Sequence, residues 1–367
     1  MKILFAGGGT AGHINPALSI ADYCREHEQD FEALFIGTER GLEKKLVPAG
    51  GYKIKYIDIR GFNRKNLLKN ISVLYKLKKS ELDCRIIIKE FQPDAVVCTG
   101  GYVSGPVAIA AHKMHVPAII HEQNVYPGLT VKGAEKYVNY VAVSFEETTS
   151  HMKCADKCVV TGNPIRTEIL RADREQAREE LGLGDKPFVL VFGGSLGAAK
   201  INETMTGVIK KFSKEGGISL LFGTGDRNYD KVINRLKEDG IELNDDIKIV
   251  PYINNMSTVM AAADVVISRA GAITVSEIAA LGKPSILIPS PNVVRNHQEQ
   301  NAREFERNSA AVVITEDVLT SELLHDKIAE LALDKQRLAE MSKNVKKMAK
   351  TDALEQIYGL IKELTNN

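Results

Sequence analysis

The feature that most constrains the fold is a long internal echo. The segment "VCTGGYVSGPVAIAAHKMHVPAIIHEQN", ending at Asn124, returns as "ISRAGAITVSEIAALGKPSILIPSPN", ending at Asn292. Each copy reads as an apolar run, a loop of small residues, an alanine-rich helix, a proline and a second apolar run. A shorter echo pairs "ILFAGGGTAG" near the start with "LVFGGSLGA" at Leu190–Ala198. The spacing is far too long for a solenoid, so the echo predicts two domains of one topology. A length of 367 residues agrees, because one core rarely serves a chain of that size.

Short apolar, β-branched runs alternate with helical patterns throughout. They predict strands near Ile3–Ala6, Ala33–Gly37, Ala95–Thr99, Pro117–His121, Tyr140–Ser144 and Cys158–Thr161 in the first half. In the second half they fall near Phe188–Phe192, Ser219–Phe222, Ile247–Val250, Val265–Ser268, Ser285–Ile288 and Ala311–Ile314. Runs that are apolar on both faces and alternate with helices imply parallel sheets covered on both sides. Gly162-Asn163-Pro164 breaks regular structure and marks the boundary between the two domains. Ligands of open α/β sheets bind beyond the carboxyl ends of the strands. Two such domains facing across a cleft would place an active site there.

The loops at those strand ends carry the candidate chemistry. Gly7–Gly12 matches G-x-G-x-x-G, the dinucleotide fingerprint, after an apolar run and before a helix. Dinucleotide binding also calls for an acid at the end of the second strand. Gly37-Thr38 stands there, with Glu39 close by. His13 follows the glycines directly, then Asn15 and Pro16, the latter suited to a first helical turn. A titratable ring at a tight glycine turn is a candidate general base, or else a local cap. "FGGSLGAAKIN" is a second strand–glycine–helix junction, an anion site in which the Ser195 hydroxyl adds a donor. In "SRAGAITVSEIAALGKP", Thr274 and Glu277 fit a Thr-x-x-Glu capping box; equally, Glu277 could accept from both hydroxyls of a ribose. Spacing leaves both open. "NVVRNHQEQNA" is rich in amides able to grip sugar hydroxyls, and "HEQN" and "GNPIRT" contribute Asn124 and Arg166.

Composition excludes several classes. A net charge of +1 argues against a nucleic-acid binder that works by bulk charge. Five cysteines without paired zinc-ligand spacing read as reduced thiols of a cytoplasmic protein. The amino terminus runs into a strand and glycine loop rather than a signal peptide. No apolar run has the roughly 18 residues that cross a bilayer, so any membrane contact would be peripheral. For such contact the segment 60–79 is the candidate. It holds Arg60, Arg64, Lys65, Lys69, Lys76, Lys78 and Lys79 without an acid, and Leu67, Leu68, Ile71, Leu74 and Tyr75 on one helical face. Basic amphipathic helices suit anionic lipid surfaces, although a core-facing surface helix has the same pattern. No D-x-D, H-E-x-x-H, G-x-S-x-G or Walker motif is present.

Taken in order, "GGGTAGHINPA", "TGGYVSGP", "HEQN", "GNPIRT", "GGSLGA", "SRAGAITVSEIAALGKP" and "HQEQNA" resemble the MurG family of bacterial peptidoglycan N-acetylglucosaminyltransferases over the whole chain. The resemblance implies an α/β GT-B fold: two Rossmann-like, doubly wound parallel-sheet domains, 1–163 and 164–350, the last helix ("TDALEQIYGLIKEL", within 351–367) crossing back to join the first. It implies inverting transfer of GlcNAc from UDP-GlcNAc to the MurNAc C4 hydroxyl of lipid I, forming lipid II, with no cofactor and no metal. It implies a peripheral location on the cytoplasmic side of the cell membrane, cell-wall and division proteins as partners, and no nucleic acid. By motif match His13 is the general base, while Thr10, Ala11 and Gly12 line the sugar and acceptor-diphosphate region. Asn124 contacts the donor region, and Arg166 and Ser195 engage the UDP diphosphate. The Ile253 backbone reads uracil; Ala272, Ile273 and Thr274 meet the nucleotide. Glu277 holds the ribose and Gln298 the GlcNAc hydroxyls. Many relatives carry glutamine where this chain has Leu196 and His297. The alternative is another GT-B enzyme, a UDP-GlcNAc 2-epimerase or a diacylglycerol glycosyltransferase. An NAD-dependent oxidoreductase or a non-catalytic binding module is a more distant rival.

Overall fold

The computed structural model describes residues 1–60, 69–194, 197–293 and 296–366, with the backbone alone for 69–74. The chain divides into two compact units, Met1–Ile165 with Thr351–Asn367, and Arg166–Lys350.

In the first unit the strands are β1 (Lys2–Gly7), β2 (Glu32–Gly37), β3 (Lys53–Tyr56), β4 (Ala95–Gly100), β5 (Ala118–Glu122), β6 (Tyr140–Val143) and β7 (Cys158–Val160). They form a parallel sheet in the order β3-β2-β1-β4-β5-β6-β7. The order reverses beside β1, so the loops after β1 and β4 flank a topological switch point. Successive residues of a strand face opposite sides. Leu4, Ala6, Val96 and Cys98 therefore join one core layer, and Ile3, Phe5, Ala95 and Val97 the other. Both layers are fully buried, which is why these strands read as continuous apolar runs. The helix Ala353–Thr365 packs on the Ile3–Phe5 layer through Leu354, Ile357 and Ile361, whose spacing puts them on one helical face. Its Tyr358 hydroxyl and Lys362 ammonium both reach Glu28 Oε1, at 2.5 and 2.8 Å.

The second unit repeats the plan with β8 (Phe188–Phe192), β9 (Ser219–Gly223), β10 (Ile247–Val250), β11 (Val265–Ser268), β12 (Ser285–Leu287) and β13 (Val312–Val313). Its parallel order is β10-β9-β8-β11-β12-β13. The switch point lies between β8 and β11, the two strands whose following loops carry "GGSLGA" and "SRAGA". The echo in the sequence is thus an echo in topology.

Two expectations need correction. The strand β3, "KIKY", has no counterpart among the runs predicted from sequence. Among the described residues it is an edge strand paired only to β2, with three of its four residues exposed, so no two-sided apolar pattern announces it, and lysines of this kind suit an edge. Pro16 is not in a first turn. The helix Ala11–His27 begins earlier, with Thr10 as N-cap, and Pro16 lies inside it. The glycine loop therefore runs straight into the helix and puts His13 in its opening turn.

Candidate active site

In the first unit the site grows from the β1 turn. Gly7 is glycine because a side-chain carbon there would strike the Thr99 hydroxyl and come 2.7 Å from the His13 carbonyl. Thr99 Oγ1 donates to that carbonyl at 2.6 Å, pinning the start of the helix to β4. His13 Nδ1 lies 3.2 Å from the Gly8 carbonyl and 3.3 Å from Thr10 Oγ1. A carbonyl only accepts, so the bond to Gly8 places the ring proton on Nδ1 and the lone pair on Nε2. The ring edge lies on Gly100, at φ 101°, where a side-chain carbon would come within 2.7 Å of Cδ2. Thr10, Ala11 and Gly12 form the N-cap and first two positions of the helix, whose opening N–H groups have no intrahelical acceptor. That end is a ready anion site.

Asn124 lies just past β5. Its backbone N–H and its side-chain amide both donate to Glu122 Oε1, at 2.9 and 3.1 Å, and the Gly128 N–H donates to Oε2 at 2.7 Å. Burial pushes the Glu122 carboxyl up from the usual range while these donors pull it down. Glu122 shapes the Asn124 loop, a role that the sequence signals only as a lone acid beside amides at a strand end.

In the second unit the helix Ala272–Leu281 starts at Gly271, so Ala272, Ile273 and Thr274 are its first three residues. This rules out the capping box: the N-cap is Gly271 rather than Thr274, and Glu277 is the sixth helical residue. Glu277 instead turns to Arg166, whose Nη2 lies 3.4 Å from Oε1. Burial raises the Glu277 pKa and Arg166 works against that, with burial the larger effect. The Ile253 side chain is buried in the core and packs on Gly223. Among the described residues no hydrogen bond engages its backbone N–H or carbonyl. Gln298, near the start of the helix His297–Arg307, accepts from the Ser290 N–H through Oε1 at 2.9 Å, which leaves its NH2 end as donor. Arg269, to which the sequence assigns no role, donates to the Ile288 and Pro289 carbonyls at 3.0 and 3.1 Å and pairs with Glu316. Asn301 donates to the Ala270 carbonyl at 3.1 Å. Arg269 thus ties the loop after β11 to the loop after β12, and Asn301 ties it to the helix His297–Arg307.

The turn after β8 needs its glycines. At Gly197, φ 72°, a side-chain carbon would collide with the Thr224 carbonyl, and at Gly193 it would come 2.5 Å from the Ala198 nitrogen. Ser195 and Leu196 lie outside the described residues. The structure thus joins Thr10 to His13 and Arg166 to Glu277, and puts Ala272, Ile273 and Thr274 in one helical turn.

The chain matches the glycosyltransferase family 28 N-terminal domain over residues 3–143 and the family 28 C-terminal domain over 188–357. It is 48% identical over 368 residues to the UDP-N-acetylglucosamine–N-acetylmuramyl-(pentapeptide) pyrophosphoryl-undecaprenol N-acetylglucosamine transferase of Acetivibrio thermocellus, covering 100% of this chain and 99% of the relative. With the transferase of the same name from Caldanaerobacter subterraneus subsp. tengcongensis it shares 49% over 366 residues and 100% of both chains. The crystal structure of Acinetobacter baumannii MurG superposes with a TM-score of 0.78 at 27% identity, covering 99% of each chain. A UDP-GlcNAc 2-epimerase from Neisseria meningitidis bound to UDP-GlcNAc superposes at 0.67 with 13% identity, covering 99% of this chain and 100% of that one; this likeness concerns the fold alone. The fold is GT-B.

Proposed function

This chain belongs to glycosyltransferase family 28, and from that premise we propose that it transfers N-acetylglucosamine from UDP-GlcNAc to the MurNAc C4 hydroxyl of lipid I, forming lipid II. The observation that carries this reading is near-half identity, end to end, with transferases of that one name. The enzyme is a UDP-GlcNAc-dependent glycosyltransferase of peptidoglycan synthesis that inverts the anomeric centre. Inversion calls for one displacement: the acceptor oxygen bonds to C1 as the bond from C1 to the UDP oxygen breaks.

The residues suit that chemistry in separable roles. His13, with its lone pair on Nε2, takes the proton of the acceptor hydroxyl. The opening turn at Thr10, Ala11 and Gly12 offers N–H groups to the acceptor diphosphate. On the donor side, the first turn at Ala272, Ile273 and Thr274, the Arg166 guanidinium and the Ser195 hydroxyl meet the negative charge that UDP carries away. Glu277 accepts from the ribose hydroxyls, the Ile253 backbone faces uracil, and Gln298 donates to a GlcNAc hydroxyl. Asn124 serves the donor from the first unit. Domain roles follow: acceptor for Met1–Ile165 with the last helix, donor for Arg166–Lys350.

A lipid-linked acceptor calls for a membrane surface, and among the described residues no helix is long and apolar enough to cross a membrane. The helix Lys69–Phe91 supports peripheral docking. It turns Leu77, Cys84, Ile87 and Ile88 inward and leaves Tyr75, Leu82 and Ile86 on the outside, 73%, 49% and 58% exposed. Lys78, Lys79 and Lys89 are exposed on the same helix, a pattern that suits an anionic leaflet. Arg64, Lys65, Leu67 and Leu68 of the predicted segment lie outside the described residues, and Lys76 pairs with Asp58 at 2.5 Å. The cytoplasmic leaflet is the side that presents a nucleotide-sugar donor.

The test is a transfer assay with UDP-GlcNAc and a lipid I analogue, with and without EDTA. Product in both arms is the expected result. No product overturns the assignment, and product lost with EDTA overturns charge stabilisation by side chains and helix ends alone.

A further inference from the structure

The Glu43 side chain crowds three glycines of the first unit, together with Val103 at Gly8 and Ile54 at Gly37. Glu43 opens the helix Glu43–Ala49 and is completely buried. A side-chain carbon on Gly8 would come 2.9 Å from its Oε1, one on Gly37 would come 2.5 Å from its Cγ, and one on Gly41 would collide with its Oε2. The carboxylate has specific work in that enclosure. Oε1 accepts from the Thr38 N–H at 2.9 Å and from the Thr38 hydroxyl at 2.8 Å, while Oε2 accepts from the Gly9 N–H at 3.0 Å. All three donors are neutral. Among the described residues this buried acid has no cationic partner, a costly choice for a merely structural position.

The bond to Gly9 connects this acid to the histidine. The Gly9 N–H and the Gly8 carbonyl belong to one peptide group, which is planar and trans, so the two point in opposite directions. Gripping the N–H on one side aims the carbonyl on the other, and that carbonyl meets His13 Nδ1 at 3.2 Å. Gly9 holds φ 89°, a conformation open to glycine, which lets the peptide take this setting.

We propose that Glu43 is a positioning residue for the transfer reaction: through the single Gly8–Gly9 peptide it holds the His13 imidazole in the tautomer whose lone pair is on Nε2. The proposal rests on the reading of His13 as the base. Glu43 reaches back under the glycine loop, where it holds a peptide rather than a ribose.

The experiment is a double-mutant cycle of Glu43→Gln and His13→Ala, read as kcat and UDP-GlcNAc KM with a lipid I analogue. Glutamine keeps the shape, but one oxygen becomes an NH2 donor. With its remaining oxygen serving the two Thr38 donors, it faces the Gly9 N–H donor to donor. Glu43→Gln is expected to lower kcat about 10- to 100-fold, the range for one lost buried hydrogen bond, with donor KM within about twofold of wild type. In the His13→Ala background the same change is expected to cost nothing further. An unchanged kcat in Glu43→Gln, or an equal loss in both backgrounds, overturns the proposal. A His13→Ala enzyme with near-normal kcat overturns the base reading instead, and is told apart because it appears without any change at Glu43. If Glu43→Gln lacks a cooperative unfolding transition, Glu43→Asp takes its place in the cycle; it keeps both acceptors but stops a methylene short of Gly9, and the same pattern is required of it.

Discussion

Glu277 shows what a single residue gains from its neighbours. Its sequence spacing serves a helix cap as well as a ribose, and the helix start at Gly271 decides between them by leaving Thr274 inside the helix. The carboxylate is buried, held toward Arg166 at 3.4 Å, and its pKa is raised mainly by burial. In the proposed role Glu277→Ala raises the UDP-GlcNAc KM about 10- to 100-fold, as expected when a ligand's hydroxyls lose a charged acceptor, while kcat changes little. Steady-state kinetics at saturating acceptor checks this, and an unchanged KM rejects the ribose role. The sign of the pH effect follows. The ionised form is the acceptor, and the folded protein holds the proton to a higher pH than a free glutamate does. Donor KM therefore starts to climb on the acid side above the ordinary carboxylate range, near pH 4.3, and Glu277→Gln flattens that rise. Residue types near strand ends were legible from sequence: Arg166, Glu277, His13 and Gln298 all stand in polar or glycine-rich stretches that follow apolar runs, three of them within the helix that comes next. Which partner each one faces was not. Arg166 and Glu277 are 111 residues apart, and no local pattern links them.

At the scale of elements, burial decided what could be read. The runs Phe188–Phe192 and Val265–Ser268 match their strands end to end. A central parallel strand must be apolar on both faces, and that requirement is visible in one dimension. β3 escaped because an edge strand is free of it, and the start of the helix Ala11–His27 escaped because Thr10 and Gly12 mark a cap only in three dimensions. The last helix is the opposite case. Its apolar residues have a clear helical period, the family resemblance sends it back to the first domain, and the fold shows which layer it closes, the one made by the first strands of the chain. Ile357 is wholly buried there. Ile357→Ala should destabilise the first unit by about 2–5 kcal/mol, the usual cost of such a cavity. Urea unfolding checks that value. UDP affinity should stay unchanged, because the core of Arg166–Lys350 is made of other residues.

For the whole molecule, the proposed task joins a water-soluble donor to a membrane-held acceptor, and the exposed stripe Tyr75, Leu82 and Ile86 is the surface fitted to that difference. Replacing Leu82 and Ile86 together by serine should lower sedimentation with vesicles containing anionic phosphatidylglycerol about tenfold or more, from the apolar area lost. Transfer to a water-soluble acceptor analogue should stay unchanged; equal sedimentation of variant and wild type rejects the docking surface. The sequence by itself determined the number of domains, their parallel α/β class, the family and the loops that carry chemistry. These follow from apolar periodicity, glycine placement and motif order, all of which are local or repeated properties of the chain. Only the tertiary structure decided the edge strand, the true helix starts, the turn of Glu277 to Arg166, and the grip of Glu43 on the peptide that meets His13. Those depend on side chains that are distant in sequence or on backbone angles that many residues could adopt, and packing selects among them only once both sheets are built.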